Sequence, residues 1–277
     1  MRNILSVNWR IVRLVGSQAQ KNLLVNPGLY TTLSLGLIVL LLILRNSLGV
    51  ISSGYLTVIV EPFLSPLIVM CLLSGLYMAL VAGFSIVREK EMGTLEVIFC
   101  GPVSHLDYIL GKYFAHVAGY IELVMIFLLA CVILEFITNL IVSPLLLLIA
   151  LLSVATAMGL IGLGSLIATI MRTIRGTLFL FIGLMFAILA IEVGQVILTS
   201  IVASGNFVGL IVLRDTVEVL SRILAWFSPV SYLINGADAV MRHNWLEWLG
   251  NIAMALVYGG ATIILSTVLL RRKGVLR

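Results

Sequence analysis

The sequence predicts an all-helical integral membrane protein. Of 277 residues, 61% are hydrophobic and only 10% are charged, and the mean hydropathy is +1.20. The charges gather in short segments between apolar runs long enough to cross a bilayer as helices. A soluble chain of this size needs charged surface to meet water. The 17 basic and 12 acidic side chains, clustered as they are, do not supply it. Lipid is therefore the expected solvent for most of the fold. The formal net charge of +5 does not point to nucleic acid, because no run alternates basic and aromatic residues and the basic residues flank apolar spans.

A bilayer core takes about 20 apolar residues of helix. Six segments qualify, at about 28–48, 63–87, 111–136, 143–170, 177–202 and 249–270. The boundary between the third and fourth is marked only by Glu135, Asn139, Ser143 and Pro144, yet both flanking runs are long enough for separate helices. Basic residues near span ends resist translocation. Arg2, Arg10, Arg13 and Lys21, then Arg88, Lys90 and Lys112, then Arg172 and Arg175, then Arg271, Arg272, Lys273 and Arg277 all fall on one side. The other side holds only Arg45, Arg214, Arg222 and Arg242. Both termini are therefore expected in the cytoplasm, in a multi-pass protein of the cell (inner) membrane. Residues 1–277 read as one membrane domain, without repeats, low-complexity tracts or linkers.

Before the first span, Ile4, Leu5, Trp9, Val12 and Val15 alternate with Arg10, Arg13 and Lys21, a basic amphipathic pattern suited to the inner-leaflet interface. The plain alternative is an ordinary positive-inside flank. That N-terminal stretch lacks the uninterrupted apolar core and cleavage site of a signal peptide and is expected to remain in the mature protein. Between the last two spans, Val208 to Phe227 mixes apolar blocks with Arg214, Asp215, Glu218 and Arg222 and reads as an interfacial helix on the outer face. Pro229 and Gly236 then sit in an apolar run too short to cross, followed by Trp245 and Trp248. A re-entrant or interfacial hairpin is expected there, before span six.

The loop after span two has its own organisation. "REKEMG" is solvated, and Thr94 is placed to cap a short helix with Glu96 in its first turn and Leu95, Ile98 and Phe99 on one face. Gly101 and Pro102 stop that helix. Ser104, with Asp107 three residues on, starts the next one, which runs through Tyr108 and Leu110 into span three. A short helix capped at both ends and fused to span three would tilt that span when pushed.

These residues resemble the permease subunits of ABC-2 type ABC transporters. In that family the second span is followed by "REKE.GTLE.L", a proline, a serine and "LGK". Here Arg88, Glu89, Lys90, Glu91, Gly93, Thr94, Leu95, Glu96, Pro102, Ser104, Leu110, Gly111 and Lys112 stand at the matching positions. Ser228, Pro229, Ser231, Tyr232 and Leu233 match the family's "SP.SYL" segment before the last span. Cys100 and Gly101 depart from the usual lead into the proline. The resemblance implies a coupling helix between spans two and three that docks on a separate ATP-binding cassette subunit, with Glu89, Gly93, Thr94, Leu95, Glu96 and Pro102 as coupling residues. It also implies a second permease copy, in a homodimer or heterodimer. ATP and magnesium would be bound by the partner subunit, and no cofactor by this chain.

Catalysis has little support in the sequence. The nearest approach to a phosphate-binding loop, Gly111 to Tyr113, puts tyrosine where a magnesium-binding hydroxyl belongs, so the energy must come from another polypeptide. Ser165 in "GLGSLIA" resembles a buried nucleophile, but His105, His116 and His243 lie in or near polar segments and there is no HExxH zinc motif. Gly159, Gly162, Gly164, Ser165 and Ala168 read better as a small-residue face for close helix packing in lipid. Cys71, Cys100 and Cys131 are too widely spaced for a zinc site or disulfide framework.

Glu122 and Glu192 fall well inside spans three and five, where carboxylates are expensive. They are candidates for the translocation path. The alternative is that each is protonated and bonded to a neighbouring helix, or lies at interfacial depth.

The function expected is an ATP-driven permease, most simply an exporter. The alternatives are a non-transporting transmission protein signalling to an extracytoplasmic partner and, third, an ion-driven transporter working through the two acids.

Overall fold

The computed structural model describes residues 7–52, 62–138, 143–204 and 226–273, together with 216 and 219; the side chains of 47–52, 189, 191–204 and 273 lie outside the description. Every regular element among the described residues is a helix. In chain order they are α1 (Trp9–Val25), α2 (Pro27–Ser52), α3 (Leu64–Glu91), α4 (Thr94–Cys100), α5 (His105–Thr138), α6 (Leu145–Ile170), α7 (Ile174–Ser204), α8 (Pro229–Met241) and α9 (Trp245–Lys273). Five described segments are long and apolar enough to cross a membrane: Pro27–Asn46, Leu64–Glu91, His105–Thr138, Leu145–Ile170 and Trp245–Arg272. The expected fifth span falls on α7, whose described apolar stretch, Ile174–Ile188, is shorter. The expected interfacial helix at Val208 to Phe227 lies almost wholly outside the described residues.

The core forms around α6. Lipid offers no hydrophobic drive for helix association, so close backbone approach through small residues has to supply it. A methyl on Gly164 would overlap the Ala79 carbonyl of α3, and one on Gly83 would come within 3.0 Å of the Gly164 carbonyl oxygen. On another side of α6, a methyl on Gly162 would collide with the Thr262 hydroxyl of α9. Ser165 belongs to this packing: its hydroxyl donates to the Ile161 carbonyl one turn back, at 2.9 Å.

The same reasoning places α8. A methyl on Gly159 would lie 3.3 Å from Tyr258 of α9 and 3.4 Å from Pro229, the first residue of α8, while a methyl on Gly236 would press on Leu152. The 13 residues of α8 therefore begin beside the middle of α6 and run back toward its N-terminus. At 1.5 Å per residue they cover about 20 Å, short of a hydrocarbon core of about 30 Å. A turn at Arg242 to Asn244 then leads into α9.

Helix α1 packs lengthwise on α5. The Asn8 amide donates to Asp107 Oδ1 at 2.9 Å, a methyl on Gly111 would stand 2.9 Å from Val15 and the Val12 carbonyl, and Leu23 fills the space over Gly119. Val12 and Leu23 are buried, whereas Trp9, Leu14 and Val25 face outward. Of the expected apolar face, Val12 and Val15 turn toward α5, Trp9 is exposed, and Ile4 and Leu5 lie outside the described residues.

Candidate functional site

The loop between α3 and α5 folds as a helix held on one face. After the last turn of α3 the chain reverses at Gly93, whose φ of 67° is left-handed and unstrained only for glycine. Thr94 was expected to cap α4, but the cap position belongs to Gly93. The Thr94 hydroxyl instead donates back to the Glu89 carbonyl at 3.2 Å. Leu95 is buried, and Phe99 stacks on His105 with ring centroids 4.2 Å apart and meets Tyr108 edge-on at 5.6 Å. The opposite face, with Met92, Glu96, Val97, Cys100 and Pro102, is exposed, Val97 by 73%. Gly101 ends the helix. Ser104 Oγ then accepts the Asp107 amide at 3.0 Å, the expected start of α5, while the Asp107 carboxylate serves α1.

The six expected coupling residues therefore divide. Gly93, Thr94, Glu96 and Pro102 lie at the surface, Leu95 anchors α4 from beneath, and Glu89 faces the helix bundle. Glu89 Oε1 pairs with Lys112 Nζ of α5 at 2.8 Å, and its other oxygen accepts the Tyr108 hydroxyl at 2.5 Å. Lys112 also donates to the Ser85 carbonyl at 2.6 Å and lies 5.0 Å from the centre of the Tyr108 ring. Its side chain is 6% exposed and that of Glu89 27%. This cluster locks the end of α3 to the start of α5 at the base of α4, so α4 has a fixed footing. Acid and base stand 23 residues apart on either side of the loop, and nothing local in the sequence pairs them. In the sequence Tyr108 is only one residue of a helix, and its hydrogen bond to Glu89 arises from the packing of α3 on α5.

Glu122 is half-buried on α5 and accepts a hydrogen bond from Gln20 Nε2 of α1 at 2.8 Å. Glu192 lies on α7 with its side chain outside the described residues. Among the described residues, no three His, Cys, Asp or Glu side chains gather as a metal site.

Residues 16–275 match the family model described as ABC-2 family transporter protein. The chain belongs to this family. No curated protein matches it. As a member it is a multi-pass membrane protein of the permease type, and the family implies an ATP-binding partner subunit. The α3–α4–α5 unit is the part of this ABC-2 protein that joins two long apolar helices through a short helix with one anchored and one open face.

Proposed function

We propose that the chain is the membrane-spanning subunit of an ATP-driven ABC exporter and that α4 is its coupling helix. The observation that carries this reading is the two-sided character of α4: Leu95 and Phe99 fix it to the bundle, while Glu96, Val97 and Pro102 stand out for a partner. In this reading α2, α3, α5, α6, α7 and α9 are the six spans, and α8 is a half-crossing element before the last. Arg10, Arg13, Arg88, Arg172, Arg175, Arg271 and Arg272 mark the cytoplasmic side, with both termini there. Helix α1 lies at the inner leaflet with Trp9 and Leu14 toward lipid. Two permease copies and two ATP-binding subunits make the working complex, with ATP and magnesium on the latter. Glu122 and Glu192 are proposed to border the route taken by substrate.

The test is capture of the ATP-binding subunit by the permease in detergent, with ATP hydrolysis by the captured complex. Glu96→Arg and Val97→Asp change only outward-facing groups, so each should lower capture at least tenfold while the permease stays monodisperse. Unchanged capture and hydrolysis in both variants would remove α4 as the docking element.

A further inference from the structure

The last turn of α3 carries four charged residues in succession, Arg88 to Glu91, and three of them leave it toward three different helices. Glu89 meets Lys112 and Tyr108 on α5. Lys90 Nζ donates to the carbonyls of Ala168 at 2.6 Å, Thr169 at 3.0 Å and Met171 at 3.3 Å. Glu91 Oε1 accepts the amide of Ile174 at 2.8 Å.

The three carbonyls belong to the last turn and C-cap of α6, and the amide is the first of α7. The final carbonyls of a helix and its first amides lack partners within it, and they carry the negative and positive ends of its dipole. A cation thus sits on the negative end of α6 and the next residue, an anion, on the positive end of α7. Both matches are charge-assisted, shorter and stronger than bonds between neutral groups. Met171 to Thr173 form the connection between these ends, so the turn is gripped from both sides by adjacent residues of α3. A lysine with no such role would extend its stem and leave the ammonium in water.

We infer that Lys90 and Glu91 are positioning residues that make the α6–α7 turn follow the end of α3, so that movement of α4 reaches α6 and α7 as well as α5. The inference rests on α4 being the docking element proposed above. Its physical content is connectivity. Helix α4 joins α3 through Met92 and Gly93 and joins α5 through residues 101–104, but it has no covalent path to the α6–α7 turn. The hydrogen bonds of Lys90 and Glu91 add a non-covalent link at the turn itself, beyond the packing of α3 on α6 at Gly83 and Gly164.

The experiment uses the complete complex of this chain with its ATP-binding subunit, in lipid nanodiscs. Nitroxide labels are placed at Arg175→Cys on α7 and Arg272→Cys on α9, both exposed, with Cys100→Ser removing the exposed native thiol; Cys71 and Cys131 are buried. Pulsed electron–electron resonance reads the distance between labels without nucleotide and after trapping with ADP and vanadate. The expected result is a nucleotide-dependent shift in the labelled parent, reduced at least twofold in Lys90→Met with Glu91→Ala while ATP hydrolysis continues. Lys90→Arg with Glu91→Gln keeps donor and acceptor and should restore the shift. Should the first pair fail to assemble, Lys90→Gln against Lys90→Arg is read the same way. A full shift without the two side chains, or no shift in the parent, overturns the inference. A chain that neither binds an ATP-binding subunit nor responds to nucleotide refutes the permease reading itself.

Discussion

Glu89→Gln should destabilise the protein more than Lys112→Met, because the two partners are unequally exposed. With Glu89 neutralised, the Lys112 ammonium stays 6% exposed, left with the Ser85 carbonyl, a neutral amide oxygen and the Tyr108 ring beside it. Leaving one buried charge uncompensated costs about 3–5 kcal/mol. The retained carbonyl contact and the new amide place Glu89→Gln toward the lower end, at about 3 kcal/mol. With Lys112 replaced, Glu89 keeps the Tyr108 hydroxyl and is 27% exposed, enough to hydrate its carboxylate. Methionine preserves most of the apolar stem, so that variant should lose only about 1–2 kcal/mol. The double variant removes the stranded charge and should therefore be more stable than Glu89→Gln alone, an interaction of about 1–3 kcal/mol. Reversible unfolding in mixed micelles, fitted for all four proteins, measures each quantity. A double variant that loses as much as or more than the sum of the two single losses would refute the reasoning, as would a larger loss for Lys112→Met than for Glu89→Gln.

Five further substitutions test other parts of the fold. Gly164→Ala forces a methyl onto the Ala79 carbonyl and should lower stability by about 2 kcal/mol or more, the scale of core overpacking; Gly183→Ala, with open space around it, should be neutral or gain up to about 1 kcal/mol in helix propensity, and thermal midpoints in detergent compare them. Gly93→Ala should cost about 1–2 kcal/mol from the left-handed backbone alone, since nothing lies within 4 Å of the added methyl, whereas Gly93→Asn should cost less. The same midpoints decide, and equal losses would argue against backbone strain. Glu122→Gln keeps an acceptor for Gln20 and should leave stability within about 0.5 kcal/mol; an altered rate of ATP hydrolysis by the complex in that variant would favour a place on the substrate route over a purely structural one.

Much of the fold was legible because its causes are local or compositional. Five of the six apolar runs of spanning length, Gly101 as a stop, Ser104 as a cap and the glycines of α6 as contact points each act through their own neighbourhood and reappear among the described residues. Thr94 misled because a cap is defined by backbone conformation as well as by a hydroxyl. Gly93 reaches the left-handed geometry that α4 needs, so the threonine falls one place inside the helix. The candidate site was legible in its surface and not in its supports. Glu96 and Pro102 come from the resemblance to the family's loop motif, whereas the partners of Glu89, Lys90 and Glu91 lie on three helices and are brought in only by packing. Asp107 shows the same limit: its spacing from Ser104 fits a capping box, yet α1, lying alongside α5, takes the carboxylate.

The contacts around α6 also limit how it can move. Gly164 admits the α3 backbone, Gly162 admits Thr262 of α9, and Gly159 admits Pro229 and Tyr258. Successive residues of a helix are turned by about 100°, so a roll of one residue would carry all three gaps away from the groups that fill them. The helix is keyed like a splined shaft: it can tilt with its neighbours as one body but cannot spin among them. Insertion or deletion of a single residue between Leu145 and Gly159 should therefore be tolerated far less well than a substitution at the exposed Leu147 or Leu151, and any conformational cycle of this bundle must be built from rocking rather than rotation of its central helix.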